Sequence, residues 1–279
     1  MAHSNTYVFL KDLRKITVLR RPISTLTRNF FFLIAIFLLS IGYTCFAYQA
    51  ENKMIPHWDA LFVGVQNLYH DSRSGDYILF EDTIASMKRL LLAVLLASTV
   101  GITIGLYMGV YAAAESLFAR IIEFIGNVPP NAMMVVFLTI FGFTFEMYLA
   151  VIIFGIIAMI TKGAYLAAKS VSDEHIFGAK TLGASNQEVV WSVLFPMLRP
   201  QLIETVRQSM APAIIFLIGA EWVAGTDGFG HRFMQLYRSA RMDVMFPYLI
   251  YLGFMGIMTS IAFKLIQRVL CPWYSEENK

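Results

Sequence analysis

The chain has 279 residues, of which 57% are hydrophobic and only 15% charged, with a net charge of +3 and a mean hydropathy of +0.61. A soluble domain of that composition would lack the polar surface to cover itself, so lipid is the expected solvent for much of the chain. The basic residues sit beside apolar runs rather than in an aromatic-interleaved patch, which argues against nucleic acid as a partner, and the two cysteines, Cys45 and Cys271, have no metal-like spacing and read as inert thiols.

The N-terminal arm carries Lys11, Arg14, Lys15, Arg20, Arg21 and Arg28 ahead of an apolar run from Phe30 to Tyr48. That run exceeds the roughly 7–15 residues of a signal-peptide core, so it reads as a retained first transmembrane helix. Residues 9–16 have the pattern of a short interfacial helix, with Phe9, Leu13 and Ile16 on one face and Lys11, Arg14 and Lys15 opposite. Ala50–Thr83 reads as a loop.

A helix needs about 20 apolar residues to span a bilayer. Phe30–Tyr48, Leu90–Ala114 and Val244–Phe263 meet that length without interruption. Three more stretches are broken. Phe124–Phe143 contains Asn127, Pro129, Pro130 and Asn131; Met147–Ala168 contains Lys162; Gln201–Ala220 contains Glu204, Arg207 and Pro212. The expected fold class is therefore all-α integral membrane with six transmembrane helices. Charges and freed backbone groups are costly against lipid, so the third, fourth and fifth spans should face protein or a water-filled path, with the first on the lipid side. Kinked helices with packing consequences alone are the alternative.

Lys and Arg counts in the short loops set the orientation. The basic arm is expected in the cytoplasm, the acid-rich Ala50–Thr83 loop outside, and the C-terminus, with Lys264, Arg268 and Lys279, back in the cytoplasm. The loop Glu221–Met245 should be external yet carries His231, Arg232, Arg238 and Arg241. It either attracts anions at an outer mouth or is balanced in part by Asp227 and Asp243. The chain divides into a cytoplasmic arm (1–28), a first helix with external loop (29–83), a core (84–270) that includes a cytoplasmic loop (169–200), and a tail (271–279).

That cytoplasmic loop holds the stretch GAKTLGASNQEVVWSVLFPMLRP, Gly178 to Pro200. Ser170, Ser172 or Asp173 can cap a helix over residues 173–182. Gly183-Ala184-Ser185-Asn186 reads as a stop followed by a second helix start, and Pro196 and Pro200 should bend the chain into the fifth span. Ala179, Gly183 and Ala184 leave a surface without bulk, which suits a helix laid into another protein's groove; a plain helical hairpin is the alternative.

The spacing of this segment resembles the EAA loop of permease subunits from bacterial binding-protein-dependent ABC importers. That loop reads Glu-Ala-Ala, three residues, Gly, nine residues, an aliphatic, one residue, then Leu-Pro. Gly183, Ala179, Val193 and Pro196 match, whereas Phe177 replaces the acidic residue and Gly178 an alanine; Glu174, one turn earlier, is the candidate to stand in for the missing carboxylate. IIEFIGNVPPNAMMVVFLTIFGF, GAEWVAGTDGFGHRF with Ala220-Glu221 and Gly228-Phe229-Gly230, and the ending LIQRVLCPW are similar to the nitrate/sulfonate/taurine branch. The resemblance covers residues 80–274.

It implies a methionine-importer-type permease fold in the bacterial inner membrane, two permease subunits forming a pathway as a homodimer, two cytoplasmic ATPase subunits and an extracytoplasmic binding protein. The ATPase-docking set is then Glu174, Ala179, Gly183, Ala184, Ser185 and Pro196. The branch handles small oxyanions and sulfonates such as nitrate, bicarbonate and taurine, and some heterocyclic vitamin precursors. The chain itself has no Gly-x-x-x-x-Gly-Lys-Ser/Thr, His-Glu-x-x-His or Gly-x-Ser-x-Gly. No catalytic, cofactor or metal site is expected in it, and ATP with Mg²⁺ would belong to the partner ATPase.

Asn131, Ser209 and Met210, polar or pliable residues on broken helices, are the expected pathway-lining residues. Glu221, at the outer end of the fifth helix, would gate the outer mouth or brace the turn Gly225–Gly230; a carboxylate at the water interface is the bland alternative. Arg89 is expected to anchor its span at the interface, and His175 to be a solvated loop residue. An ion-coupled secondary transporter would need inverted repeats and a buried acidic relay, neither evident, and a membrane-embedded enzyme would need a catalytic cluster.

Overall fold

The computed structural model describes residues 24–49, 55–69 and 78–274. The anticipated interfacial helix at 9–16, and the arm's charges up to Arg21, lie outside the described residues. Contacts divide the chain into two units, Met1–Phe62 and Val63–Lys279.

The first unit is dominated by α1 (Thr25–Gln49), 25 residues long and apolar almost all round. Near its C-terminal end, Tyr43 donates to the Pro56 carbonyl at 2.7 Å and the Trp58 indole donates to Thr44 Oγ1 at 2.9 Å. The two rings meet edge-on with centroids 5.3 Å apart, an arrangement with one end apolar and the other satisfied by hydrogen bonds. The span Ala50–Thr83 is not all loop: it contains α2 (Trp58–Tyr69) and the first turns of α3 (Ile78–Val110).

The second unit is built on α3, α6 (Phe145–Lys169) and α9 (Phe195–Ala224). Why α3 joins the core is written in Gly101, Gly105 and Gly109, four residues apart on one face. A Cβ added at Gly105 would lie 2.5 Å from the Thr161 carbonyl oxygen, and one at Gly109 would run into the Ala168 methyl. With no side chain on α3 and Thr161, Ala164 and Ala168 on α6, the two backbones approach closely, the small-residue packing that drives helix association where lipid removes the hydrophobic drive. Above this seam, Leu90, Ala93, Val94 and Ala97 pack with Ile152, Ile156 and Ile160 of α6. An uninterrupted span thus stands at the centre beside the broken ones expected there.

The third span is not a kinked rod. It is two helices, α4 (Ala112–Asn127) and α5 (Pro130–Phe141), meeting at 97°. The consecutive prolines explain the corner. Each restricts the residue before it to extended backbone, and Val128 (φ −82°, ψ 124°) and Pro129 (φ −61°, ψ 120°) both comply. Pro130 then opens α5, where its missing N–H costs nothing. Both helices lie against α6 with much of their surface exposed in the single chain.

After α6 come α7 (Asp173–Thr181), the single turn α8 (Asn186–Glu188), a wide π-helical turn (Val189–Leu194) and α9. The prolines do not bend the chain away here. The wide turn, in which the Phe195 N–H reaches back to the Val190 carbonyl, makes room for the ring of Pro196, and the path stays helical from Asn186 to Ala224. The Pro200 carbonyl is satisfied by Gln267 Nε2 at 3.0 Å. Two further helices follow, α10 (Phe229–Arg238) and α11 (Met242–Leu270). Among the described residues, five helices are long and apolar enough to cross a membrane, six spans if α4 and α5 count together.

Candidate functional site

Two regions stand out, at opposite ends of α9. At its N-terminal end, α7 and α8 form the stretch singled out by sequence. Helix α7 closes with paired bonds, Gly183 N–H to Lys180 O at 2.9 Å and Ala184 N–H to Ala179 O at 3.0 Å. This is the Schellman arrangement, and it demands the left-handed backbone that Gly183 supplies at φ 87°. Ser185 then opens α8 through a capping box: its N–H donates to Glu188 Oε2 at 2.7 Å, and its hydroxyl accepts from Glu188 N–H at 3.3 Å. Gly183 and Ser185 are thus the hinge residues of a tight, fully bonded corner.

Of the three small residues expected on the outer face, only Gly183 is there. Ala179 and Ala184 are half-buried against the cluster of Leu106, Val189, Val190 and Leu194, so their smallness serves internal packing. Pro196 is half-buried as well. What α7 and its closing turn present outward is Glu174, Phe177, Gly178, Leu182 and Gly183, with Phe177 66% and Leu182 90% exposed. His175 is exposed on the same segment.

At the other end of α9, Glu221 is completely buried. Ser86 Oγ lies 2.8 and 2.9 Å from its two carboxylate oxygens, Arg89 Nη1 donates to Oε1 at 2.7 Å, and the Gly230 N–H donates to Oε2 at 3.0 Å. Arg89 also donates to the Asp227 carbonyl at 3.2 Å and pairs with the Asp227 carboxylate. Its guanidinium lies 4.3 Å from the Tyr148 ring centre, while the Tyr148 hydroxyl donates to the Ala224 carbonyl at 2.6 Å. One turn up α3, Asp82 accepts from Gly228 N–H at 3.3 Å, Arg232 Nε at 2.9 Å and the Tyr248 hydroxyl at 3.0 Å. The Phe229 N–H donates to Ser86 Oγ at 2.9 Å.

The result is a clasp that ties the turn Gly225–Gly230 to α3, with α6 and α11 contributing one tyrosine each. Gly228 is required there: it sits at φ 95°, and a Cβ would lie 2.5 Å from Glu221 Oε1. The clasp corrects two sequence expectations. Arg89 does not anchor its span at the interface; its side chain is 8% exposed and fully engaged. Arg232 is not held out for anions, being paired with Asp82. Sequence reasoning missed Asp82 and Ser86 altogether, although 82, 86 and 89 fall at the i, i+4, i+7 spacing of one helix face.

The remaining residues separate. Ser209 is completely buried, donating to the Val206 carbonyl at 2.7 Å, and Met210 packs in the core with Val94 and Ile156. Neither faces an opening of the chain, because both lie on the side of α9 turned to α3 and α6. Asn131, exposed on the first turn of α5, has its amide oxygen close to Gly219 of α9. Among the described residues, no three His, Cys, Asp or Glu side chains gather as metal ligands.

With this geometry in place, comparison with known proteins is informative. Residues 101–276 match the family described as binding-protein-dependent transport system inner membrane component. The chain is 28% identical over 201 residues to the taurine transport system permease protein TauC of Escherichia coli, covering 72% of this chain and 73% of TauC. It is 29% identical over 200 residues to a putative ABC transporter permease of Methanocaldococcus jannaschii, covering 71% and 75%. The fold is similar to that of a chain in the MetNI methionine ABC transporter solved in inward-facing conformations, with a TM-score of 0.63 at 16% identity, covering 70% of this chain and 96% of that one.

Proposed function

From the premise that this chain belongs to the family of binding-protein-dependent transport system inner membrane components, as a non-catalytic, multi-pass permease subunit of an ABC importer of the nitrate/sulfonate/taurine type, we propose how it works. Two copies line a pathway for a small oxyanion or sulfonate. The solute is delivered outside by a binding protein, and work enters from two ATPase subunits that hold ATP and Mg²⁺. The N- and C-termini are cytoplasmic, which puts α7 on the inner side and the Glu221 clasp on the outer side.

The observation that carries this reading is the outward face of α7. Its C-terminal end is closed by its own hydrogen bonds, yet the helix and its cap residue expose Phe177 and Leu182, an apolar pair that so short a segment has no reason to display unless a groove receives it. The family's acidic residue is replaced here by Phe177, so the contact is apolar rather than ionic, with Glu174 at its edge. ATP-driven closure of the ATPase pair moves α7. Because α8 and α9 form one helical path, α9 moves with it, and the two permeases pass between inward-open and outward-open states. At the far end, Glu221 braces the turn that meets the binding protein. Asn131, at the exposed start of α5, is the residue we assign to the pathway; Ser209 and Met210 support it from within the core.

The test is copurification with the ATPase subunit expressed alongside. Leu182 touches little within the chain, so Leu182→Asp should leave folding intact and lower ATPase recovery at least about tenfold. Equal recovery with wild type and variant, or no ATPase with wild type, overturns the reading.

A further inference from the structure

The proposed pathway leaves one part of the molecule without a task. Between α4 and α6 lies a cavity of ≈ 600 Å³, within the usual size range of small-molecule sites, roughly 300–1,000 Å³. Its apolar wall includes Met108, Ile122 and Met159; its polar groups are Lys162 on α6, Glu123 and Asn127 on α4, and Tyr165.

Lys162 is the unusual member. It lies seven residues before the end of a membrane-spanning helix, so it sits about 10 Å inside that end. An ammonium at such depth is costly and is ordinarily paired or set in a water-filled path. Among the described residues, the side chains of Lys162 and Glu123 make no ion pair, with each other or with any other group. Nearer the end of α6 the charges are paired: Lys169 and Glu115 form an ion pair at 3.0 Å, with the Tyr165 hydroxyl donating to Glu115 at 2.5 Å. Asn127, which closes the cavity beside the Val128–Pro129 corner, is spent on the Glu123 carbonyl at 2.9 Å. Two opposite charges therefore share one cavity without neutralising one another.

We propose that this cavity is a substrate subsite of the permease itself, in which Lys162 holds the anionic group and Glu123 the cationic group of a small zwitterionic solute. A simple anion would meet repulsion from Glu123, and a simple cation from Lys162; a solute carrying both charges satisfies both walls. The pathway on this account is not a neutral conduit, because the permease adds its own selection to that of the binding protein. The inference rests on the transport reading above and refines the class of solute it carries.

The experiment uses the full chain, purified with its ATPase partner and held in nanodiscs, with three probes of one size: taurine, which carries sulfonate and ammonium; isethionate, which has a hydroxyl in place of the ammonium; and ethylamine. Taurine should bind saturably in the millimolar range and isethionate and ethylamine at least about tenfold more weakly. Lys162→Gln and Glu123→Gln should each weaken taurine about tenfold, and Glu123→Gln should bring isethionate level with taurine. Both side chains are exposed in the single chain, so neither change should disturb folding. No saturable taurine binding, or taurine binding unaffected by Lys162→Gln, overturns the proposal. Isethionate bound as tightly as taurine by the wild type overturns the zwitterion class. ATPase recovery is read in the same preparation; its loss would instead sink the coupling reading, whatever the probes do.

Discussion

Arg89 is the side chain on which most else depends. It reaches Glu221 and Asp227 from α3 and stacks on Tyr148 of α6, so three elements meet at one guanidinium. Both partners of the Arg89–Glu221 pair are removed from solvent. Removing one member of such a pair leaves the other charge buried without compensation, at a cost of about 3–5 kcal/mol. Arg89→Met should therefore lower the thermal unfolding midpoint of the purified chain sharply, while Arg238→Met, an exposed arginine in the neighbouring helix, should leave it almost unchanged. Equal midpoints for the two variants would remove the clasp from its structural role.

At this scale the sequence was half legible. Glu221 and its glycine turn are visible in GAEWVAGTDGFG, because a carboxylate beside a glycine-rich turn invites a bracing role. Its partners were not visible. Asp82 and Ser86 fall where the expected loop meets the expected span, and Arg89 at a span end fits the ordinary pattern of an interfacial anchor. Only the extension of α3 outward to Ile78 puts the three on one helical face aimed at the turn.

Among the elements, the α3–α6 seam decides the fold. Gly105 permits contact at which a methyl group would meet the Thr161 carbonyl, whereas a methyl at Gly101 would come no nearer than 3.1 Å to its closest neighbour, the Cγ2 methyl of Ile160. Gly105→Ala should consequently cost about 1–3 kcal/mol by overpacking, and Gly101→Ala much less. Unfolding midpoints of the two variants check this, and the reverse order would mean that the seam does not lie between these faces. The spacing Gly101, Gly105, Gly109 stood in the sequence throughout, inside an unbroken run that the sequence reading assigned to neither the inside nor the lipid side. Helix α7 was legible in its extent and in its stop at Gly183, since cap chemistry is local. Which face it turns outward was not, because that depends on the cluster around Val190 and Leu194 assembled from distant segments. The 97° corner was half legible: two adjacent prolines announce an interruption, but its angle follows from the extended backbone they impose on Val128 and Pro129 together.

For the whole molecule, the expected orientation can be read chemically. In a Cys45→Ala background, Thr226→Cys should react with a membrane-impermeant maleimide from outside the cell, and Leu182→Cys only after the membrane is opened. Both positions are exposed. Cys271 should stay silent in either case, since it is buried and burial pushes its thiol up from the ordinary range, leaving little thiolate. Labelling of Leu182→Cys from outside would invert the proposed topology. Five long apolar helices and a sixth, bent span were legible because hydropathy and length are properties of the chain taken piece by piece, whereas the importer-type fold was legible only through the resemblance carried by the loop spacing around Gly183. The shared cavity at Lys162 was not, because it belongs to two helices that approach only once the corner after Asn127 has turned the chain.

The unbroken helical path from Asn186 to Ala224 has one more consequence. At 39 residues it is a rod of about 58 Å, longer than the membrane is thick. Its lower tip rests beside the corner that Gly183 and Ser185 form, and its upper tip carries Glu221. On the proposed coupling, a small tilt at one tip of such a rod becomes a larger sweep at the other. The widened turn before Pro196 and the prolines at 200 and 212 are the places where that rod can give, so their stiffness would set how much of each proposed stroke arrives at the far end.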